Sequence, residues 1–435
     1  MKGVKQHSIF LLAAAVLFCV SRTLYAEDNP RGIFFSDILT WRDCLELTIK
    51  NNPQYIIAQK NLETARLNYN LAVNQYTPSA NIQYGFQKSN YDILNQQNYW
   101  SLTASANQNI FNWEALSNIR IQKENTNQAA AQLQQTSAAV LYGLKQAYLA
   151  MLYAQQSVEL YKNIYEIRKK SADMIRLQYE GGNESIGNNM RASALAVAAN
   201  NGIKAAQRNL VVARKNLVAV LGVDIGNTFT LKDTLAPAAS KPVDINSAAE
   251  NTPQIIISKN ALQIARLQLS SSKAGILPVL AAGGTWGLQD DKPDLRNAST
   301  IWTVSVMLSY PIFSGGITAA KENIDIAKTA LEQSEEALKQ QYFTTRAQLQ
   351  AASAALETDI DTIDSNKLLL ASAEQMDKEA NIQYLAGMMD FQIWQSVEQD
   401  LVNYKSAYLT SLYTANLDSA SLDNILGTGL EKINE

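Results

Sequence analysis

Proline placement constrains this chain more than any other feature. The nine prolines stand at positions 30, 53, 78, 237, 242, 253, 278, 293 and 311, so none lies between Pro78 and Pro237 and none after Pro311. Inside a helix a proline costs about 3 kcal/mol or more, because it lacks the N–H and clashes with the preceding turn. Two very long stretches are therefore free to be helical. Glu114–Tyr179 and Ile317–Tyr384 are both polar and rich in alanine. At roughly 65 residues and 1.5 Å per residue, each predicts a helix of about 100 Å. In the second, Ile317, Ala320, Ile324, Ala327, Leu331, Ser334, Leu338, Tyr342, Thr345, Leu349, Ala352, Leu356 and Ile360 recur by threes and fours. Their mean step is about 3.6 residues, closer to a straight helix than to the 3.5 of a left-handed supercoil.

These stretches belong to a duplication. Asn52-Pro53-Gln54 returns as Thr252-Pro253-Gln254, Ala65-Arg66-Leu67 as Ala265-Arg266-Leu267, and Pro78 as Pro278. Ile110-Phe111-Asn112 returns as Ile312-Phe313-Ser314, Tyr179–Gly182 as Tyr384–Gly387, and Leu221-Gly222 as Leu426-Gly427. The offset stays between 200 and 205 throughout. A register held that long marks one module copied, spanning 27–222 and 253–427, with 223–252 as an equatorial segment between them and 428–435 as a short polar tail.

Each copy begins with a short helix, about 54–76 and about 254–276, started by an Asn-Pro or Thr-Pro pair. A return helix follows each long one, about 186–221 and 391–426. A short and a return helix together match one long helix in length, so each long helix should pack against two shorter ones stacked end to end.

Between short and long helix lie two alternating segments, forming β-hairpins at about 79–110 and 279–310. Ile82, Tyr84 and Phe86 share one face with Trp100, Leu102, Ala104 and Ala106, while Gln83, Gln87, Ser101, Thr103, Ser105 and Asn107 share the other. In the second copy Leu280, Ala282, Trp286 and Leu288 go with Trp302, Val304, Val306, Leu308 and Tyr310, against Thr303 and Ser305. Alternation over about ten residues marks a transmembrane barrel strand, apolar outward and polar to the lumen. A soluble sandwich gives the same pattern, so one hairpin alone decides nothing.

The amino terminus predicts export. Lys2 and Lys5 precede an apolar stretch from Ile9 to Val20, and Thr23-Leu-Tyr-Ala26 offers a cleavage site, so residues 1–26 read as a signal peptide. Phe18, where a lipobox needs a small residue, argues against lipidation at Cys19. Beyond the signal no apolar run reaches the roughly 20 residues of a membrane helix. A mature chain that enters a membrane must therefore do so through a closed barrel. Cleavage removes Lys2, Lys5 and Arg22, which takes 37 basic side chains to 34 against 40 acidic, a net charge of −6. Such a balance argues against a nucleic-acid partner.

Cleavage also removes His7, the only histidine. Without imidazole, and without a phosphate-binding or nucleophile-elbow motif, the sequence offers no catalytic, cofactor or metal site. The expectation is a protein that is not an enzyme. Met388 and Met389 carry soft-metal thioethers, but packing at a turn accounts for them.

Four strands cannot close a barrel, and an open edge in lipid leaves backbone groups unsatisfied. Two chains pool eight strands, whose interior side chains fill; three pool twelve, enough for an open pore. The sequence thus predicts a trimer of mainly α chains, with a β-barrel section continued by a helical tube.

The pattern is similar to the TolC-type outer-membrane efflux channel family, over the whole mature chain. Leu39-Thr-Trp41, Lys50-Asn-Asn-Pro53, Tyr76-Thr-Pro78, Tyr310-Pro-Ile-Phe-Ser-Gly-Gly316 and the two Tyr-x-x-Gly turns carry the resemblance through their order. It implies a homotrimer in the outer membrane of a Gram-negative bacterium, with a helical barrel across the periplasm. A periplasmic adaptor and an inner-membrane pump would be its partners, in efflux or type I secretion. Tyr84, Phe86, Trp100, Trp286, Trp302 and Tyr310 would then face lipid.

The resemblance also makes Tyr179, Gly182, Tyr384 and Gly387 the tips where an adaptor docks. A helix hairpin needs a left-handed residue at its turn whatever binds there, so both glycines have a structural reason as well. At the periplasmic aperture the chain departs from the family pattern. Asn188, Ile393 and Ser396 stand where acidic residues are common, and Met389 where an Arg helps tie the closed state. The expectation is an aperture closed by packing and neutral hydrogen bonds rather than by Asp–Arg pairing. Two competing readings remain at this stage. One is a periplasmic or surface coiled-coil protein without channel activity. The other is an adaptor, which the paired alternating hairpins disfavour. The exported cargo is not written in the sequence.

Overall fold

The computed structural model describes residues 38–90, 96–226, 228–240, 242–312, 315–316 and 318–433. The expected signal peptide with Cys19, and Ile317 at the head of the helical row, lie outside them. The described residues open with β1 (Ile38–Leu39) and α1 (Trp41–Asn51). The first repeat then runs α2 (Pro53–Asn74), β2 (Ser79–Asn90), β3 (Gln96–Phe111), α3 (Trp113–Glu180) and α4 (Ile186–Leu221). The inter-repeat segment contributes β4 (Thr230–Leu231) and α5 (Ile245–Glu250). The second repeat runs α6 (Pro253–Ala274), β5 (Val279–Asp290), β6 (Ser299–Ser309), α7 (Ala319–Leu385) and α8 (Phe391–Ile425), closed by a 3-10 turn at Leu430–Ile433.

Local chemistry sets these starts. Asn52 caps α2, its side-chain oxygen accepting from the N–H of Gln54 and Tyr55, and Pro53 takes the first helical position, where no N–H is needed. Asn112, Ser185 and Asp390 cap α3, α4 and α8 in the same way. At 68 and 67 residues, α3 and α7 each extend for about 100 Å.

The long helix α3 is the spine. It packs against α2 and α4 of its own repeat and against α6 and α8 of the other, whereas α7 packs against α5, α6 and α8. Each short helix meets its return helix end to end, as the lengths predicted. The joints are too tight for a side chain. A Cβ on Gly222 would stand 2.4 Å from the Asn51 carbonyl oxygen, and one on Gly427 would stand 2.3 Å from Pro253 Cδ. Both glycines are left-handed, at φ 71 and 72. Gly427→Ala is expected to cost about 2–4 kcal/mol, combining left-handed strain with overpacking, and chemical unfolding of the purified protein reads it.

The largest core lies at the equator. Leu141, Leu144, Met151, Leu217, Leu221 and Cys44 are fully buried there, and Trp41 meets Tyr148 edge to face at 5.1 Å. The Tyr148 hydroxyl donates to Asp233 at 2.6 Å, fastening the inter-repeat segment to α3. Parallel pairing of β1 with β4 ties the segment to the chain start as well.

Burial along α7 refines the expected period. From Ile324 to Leu356 the less exposed row takes nine steps over 32 residues, just under the 3.6-residue step predicted from sequence, and Ala320 is exposed. From Leu356 the row continues through Ile360, Ile363, Asn366, Leu370, Ala373, Asp377, Ala380 and Tyr384, 28 residues in eight steps. That is the 3.5 period of a left-handed supercoil, and the row from Ile324 to Leu356 lies close to it as well.

Candidate functional site

Two regions bear on function, the sheet at one end of the helices and the turns at the other. The sheet has four antiparallel strands in the order β2-β3-β5-β6, so among the described residues β2 and β6 each keep one edge unpaired. Its registers sort the side chains cleanly. Trp286 sits opposite Trp302, Phe86 opposite Trp100, and Tyr84 opposite Leu102, all on one face. The Trp100 ring lies 5.0 Å from Phe86 and 5.5 Å from Tyr84. Ile82, Val304, Val306 and Leu308 continue that face, each more than two-thirds exposed. An apolar face so open suits lipid rather than water. Tyr310 lies one residue beyond β6, at the opposite end of the strands from Trp302.

The opposite face carries amides and hydroxyls. Asn81, Ser105, Thr285 and Thr303 form one row across all four strands, and Ser79, Asn107, Gly283 and Ser305 another. Among the described residues no helix is long and apolar enough to cross a membrane.

At the far end both turns take one geometry. In the first, the Gly182 N–H donates to the Tyr179 carbonyl and the Asn183 N–H to that of Gln178; in the second, Gly387 donates to Tyr384 and Met388 to Gln383. This paired closure needs a left-handed residue, and Gly182 and Gly387 supply it at φ 76 and 70. Open space surrounds both, so only backbone strain opposes a side chain. Gly182→Ala or Gly387→Ala is expected to cost about 1–2 kcal/mol, seen as faster amide exchange confined to that turn.

The two tyrosines of the turns differ. Tyr179 is 37% exposed, while Tyr384 is 5% exposed. Tyr384 stacks on Trp394 at 4.8 Å and belongs to a cluster with Ile175, Ala192, Ala380 and Phe391 that joins the tips of both repeats. Its hydroxyl donates to Glu184 at 2.5 Å, and Trp394 Nε1 donates to Asn381 at 2.9 Å. Glu184 also accepts from the Asn188 amide at 2.8 Å and the Ser185 N–H at 3.0 Å. Partial burial pushes the Glu184 carboxyl up, but these three donors outweigh it and hold the group below its ordinary 4.5. Burial, then the Glu184 bond, pushes the Tyr384 phenol up.

Of the other residues expected at the aperture, Asn188 is half-buried through its bond to Glu184, and Met389 packs against the Tyr384 cluster. Ile393 and Ser396 are exposed. Sequence reasoning missed Glu184, the Trp394 stack and a buried pair above them, Arg168 with Glu398 at 3.3 Å. A carboxylate on a polar helix reads as solvated, and only the packing of α8 on α3 reveals otherwise.

The model of the outer membrane efflux protein family matches residues 44–223 and 245–428, both repeats almost end to end. The chain belongs to that family. Within the outer membrane efflux proteins it is 25% identical over 300 residues to the alkaline protease secretion protein AprF of Pseudomonas aeruginosa. That match covers 64% of this chain and 62% of the relative, so it spans less than two thirds of the relative's length. The fold is similar to the open-state outer membrane channel MtrE of Neisseria gonorrhoeae, with a TM-score of 0.79 at 17% identity over 89% of each chain. It is also similar to the CmeC outer membrane channel of Campylobacter jejuni, with a TM-score of 0.78 at 16% identity over 89% of this chain and 85% of that one. This membership places the protein in the outer membrane of a Gram-negative cell with its helices in the periplasm.

Proposed function

We propose that three copies of this chain form an outer-membrane exit duct, receiving solutes from an inner-membrane pump through a periplasmic adaptor. One observation carries the reading: a four-stranded sheet with two free edges, apolar on one face and polar on the other, runs directly into helices of about 100 Å. Backbone groups in lipid must be paired, so the free edge of β6 takes β2 of a neighbour, and a third copy closes the ring. Unpartnered apolar side chains on the helices support the same ring. Phe343 and Leu368 on α7 and Leu67 and Leu71 on α2 are exposed in the single chain, and a neighbour would cover them.

Reconstitution of the full protein in planar bilayers tests the duct. A heat-modifiable trimer with stepwise conductance is the expected result. A chain extracted without detergent and silent in bilayers would instead establish a structural coiled-coil protein. Cargo identity, whether drug, metal, other small molecule or protein, belongs to the pump.

The tips are the proposed docking and closing site. Tyr179, Gly182 and Gly387 are exposed to an adaptor; Tyr384, buried, serves by holding the turn. Asn188, Met389, Ile393 and Ser396 leave the family's acidic ring vacant, yet a carboxylate stands four residues before Asn188, at Glu184 in the turn. The tie from Tyr384 is then a phenol bonded to a carboxylate, a charge-assisted hydrogen bond beside the packing expected to close the aperture without Asp–Arg pairing.

Tyr384→Phe deletes the donor while keeping the stack on Trp394. Several-fold more frequent openings are expected in single-channel records, and an unchanged record would leave closure to packing alone. Because the Glu184 carboxyl is depressed, its contribution is present above 4.5 and lost as pH falls through its lowered folded value. Openings should therefore rise only in strong acid.

A further inference from the structure

The sheet's polar face holds a feature that the duct reading alone does not require. Among the described residues of the four strands, only Lys88 and Asp290 are charged. Both fall on the apolar face by alternation, at the loop end, beyond Phe86 and beside Trp100. The Asp290 carboxylate is already taken up by the N–H groups of Asn297 at 2.8 Å and Lys292 at 3.3 Å.

No acid or base remains on the polar face. Its rows run Asn81–Ser105–Thr285–Thr303, Ser79–Asn107–Gly283–Ser305 and Gln83–Thr103–Gly287–Ile301. The glycines among them are occupied by neighbours: a Cβ on Gly283 would stand 2.5 Å from Asn107 Oδ1, and one on Gly287 would stand 2.8 Å from Thr103 Cγ2. The Asn107 amide thus reaches over Gly283, while the Thr103 methyl and Ile301 cover Gly287, so the face is uncharged and mostly amide and hydroxyl with a few apolar groups.

We propose that the barrel section is an uncharged sleeve of amides and hydroxyls that passes polar solutes of either charge alike, leaving charge discrimination to the helical section. The proposal rests on the duct reading, which puts this face on the lumen. A ring of like charges in a pore raises the local concentration of the opposite ion and repels its own kind, and salt screens the effect. A wall of neutral dipoles does neither. It donates and accepts hydrogen bonds equally well to an ammonium, a carboxylate or a sugar hydroxyl.

Cysteine labelling from the external side probes the sleeve without passing the tips. The native Cys44 does not interfere, since it is buried and its thiol is pushed up to about 12 by that burial. Ser105→Cys, Thr303→Cys and the lipid-side control Val304→Cys would be made in the full protein. Each is treated with a cationic and an anionic methanethiosulfonate, and the rates are normalised to those of a free thiol.

The expected result is reaction at positions 105 and 303, with cationic and anionic rates within about threefold of each other and unchanged by salt. Adding Ser305→Glu beside Thr303→Cys should push the preference for the cation beyond about threefold, relaxing at high salt. A preference beyond threefold in its absence, or no response to the added carboxylate, overturns the neutral sleeve while leaving the duct in place. Labelling at 304 instead of 105 and 303, or at none of the three, overturns the duct reading beneath it.

Discussion

Thr303→Pro with Val304→Pro is expected to abolish the trimer and its conductance while leaving the helices folded. These residues pair with Thr285 and Gly284 of β5 on one side of β6, and the other side is free. Neighbouring residues of a strand send their N–H groups to opposite edges. Two adjacent prolines therefore remove one donor toward β5 and one toward the next chain, whatever register that neighbour takes. Each carbonyl left unpaired in lipid costs several kcal/mol, and a closed ring suffers the loss three times. The helices do not share the loss, because every backbone bond of α3 and α7 closes within the helix.

Heat-modifiable mobility and bilayer conductance should both disappear, while far-ultraviolet circular dichroism stays close to the parent. Asp294→Pro, placed in the β5–β6 connection, is the control and should keep the trimer. Retention of trimer and conductance by the double proline variant would show that β6 is not a seam between chains.

The long helices were legible because proline is a negative signal with a large energy behind it. Helix starts were nearly as clear, since Asn52, Asn112, Ser185 and Asp390 each carry the side-chain oxygen that a helix start needs. The strand faces followed from alternation alone, since Tyr84, Phe86, Trp100, Trp286 and Trp302 do share one face.

Less was legible where partners are distant in sequence. The two-residue strands Ile38–Leu39 and Thr230–Leu231 have no local signature and exist only as each other's partner. The repeat-related tyrosines Tyr179 and Tyr384 looked alike, yet Phe391 and Trp394 bury the second and leave it bonded to Glu184 across 200 positions. The uniform 3.6-residue period was also an average. From Ile324 to Tyr384 the less exposed row averages about 3.5 residues per step, nearer a supercoil than a straight helix.

Glu398→Leu is the second large effect, an expected loss of about 3–5 kcal/mol. Glu398 on α8 and Arg168 on α3 belong to different repeats, and their side chains are 2% and 5% exposed. Arg168 also donates to Gln399 at 2.6 Å, but at 3.3 Å the ion pair is long, and neither Nη1 of the arginine nor Oε1 of the glutamate has a hydrogen bond of normal geometry. Such a pair stabilises little on balance, because the desolvation of both charges offsets their attraction. Breaking it is different, since one charge is then left buried alone.

The double variant Arg168→Met with Glu398→Leu should therefore recover to within about 1 kcal/mol of the parent, because apolar groups of similar volume replace both charges. Arg168 lies 12 residues before Glu180, about 18 Å from the turn. The single variant should thus also loosen the tips and raise the frequency of channel openings, and the double variant should reverse that. A double variant no better than the single would mean that the pair is needed for its charge and not merely for filling the space.

Acid supplies an independent reading of the same pair. Burial pushes the Glu398 carboxyl above its ordinary 4.5, against the pull of Arg168, and burial raises neighbouring Asp377 too. Between 4.5 and the raised value the folded protein binds more protons at Glu398 than the unfolded chain does, so stability falls as pH rises across that window. Glu398→Gln should flatten this slope at every salt concentration, since a side chain so deeply buried is screened little. Asp377, on α7, keeps its own contribution in that variant, and Asp377→Asn beside Glu398→Gln separates the two. A slope unchanged in Glu398→Gln would assign the pH dependence to Asp377 and leave the ion pair ionised throughout.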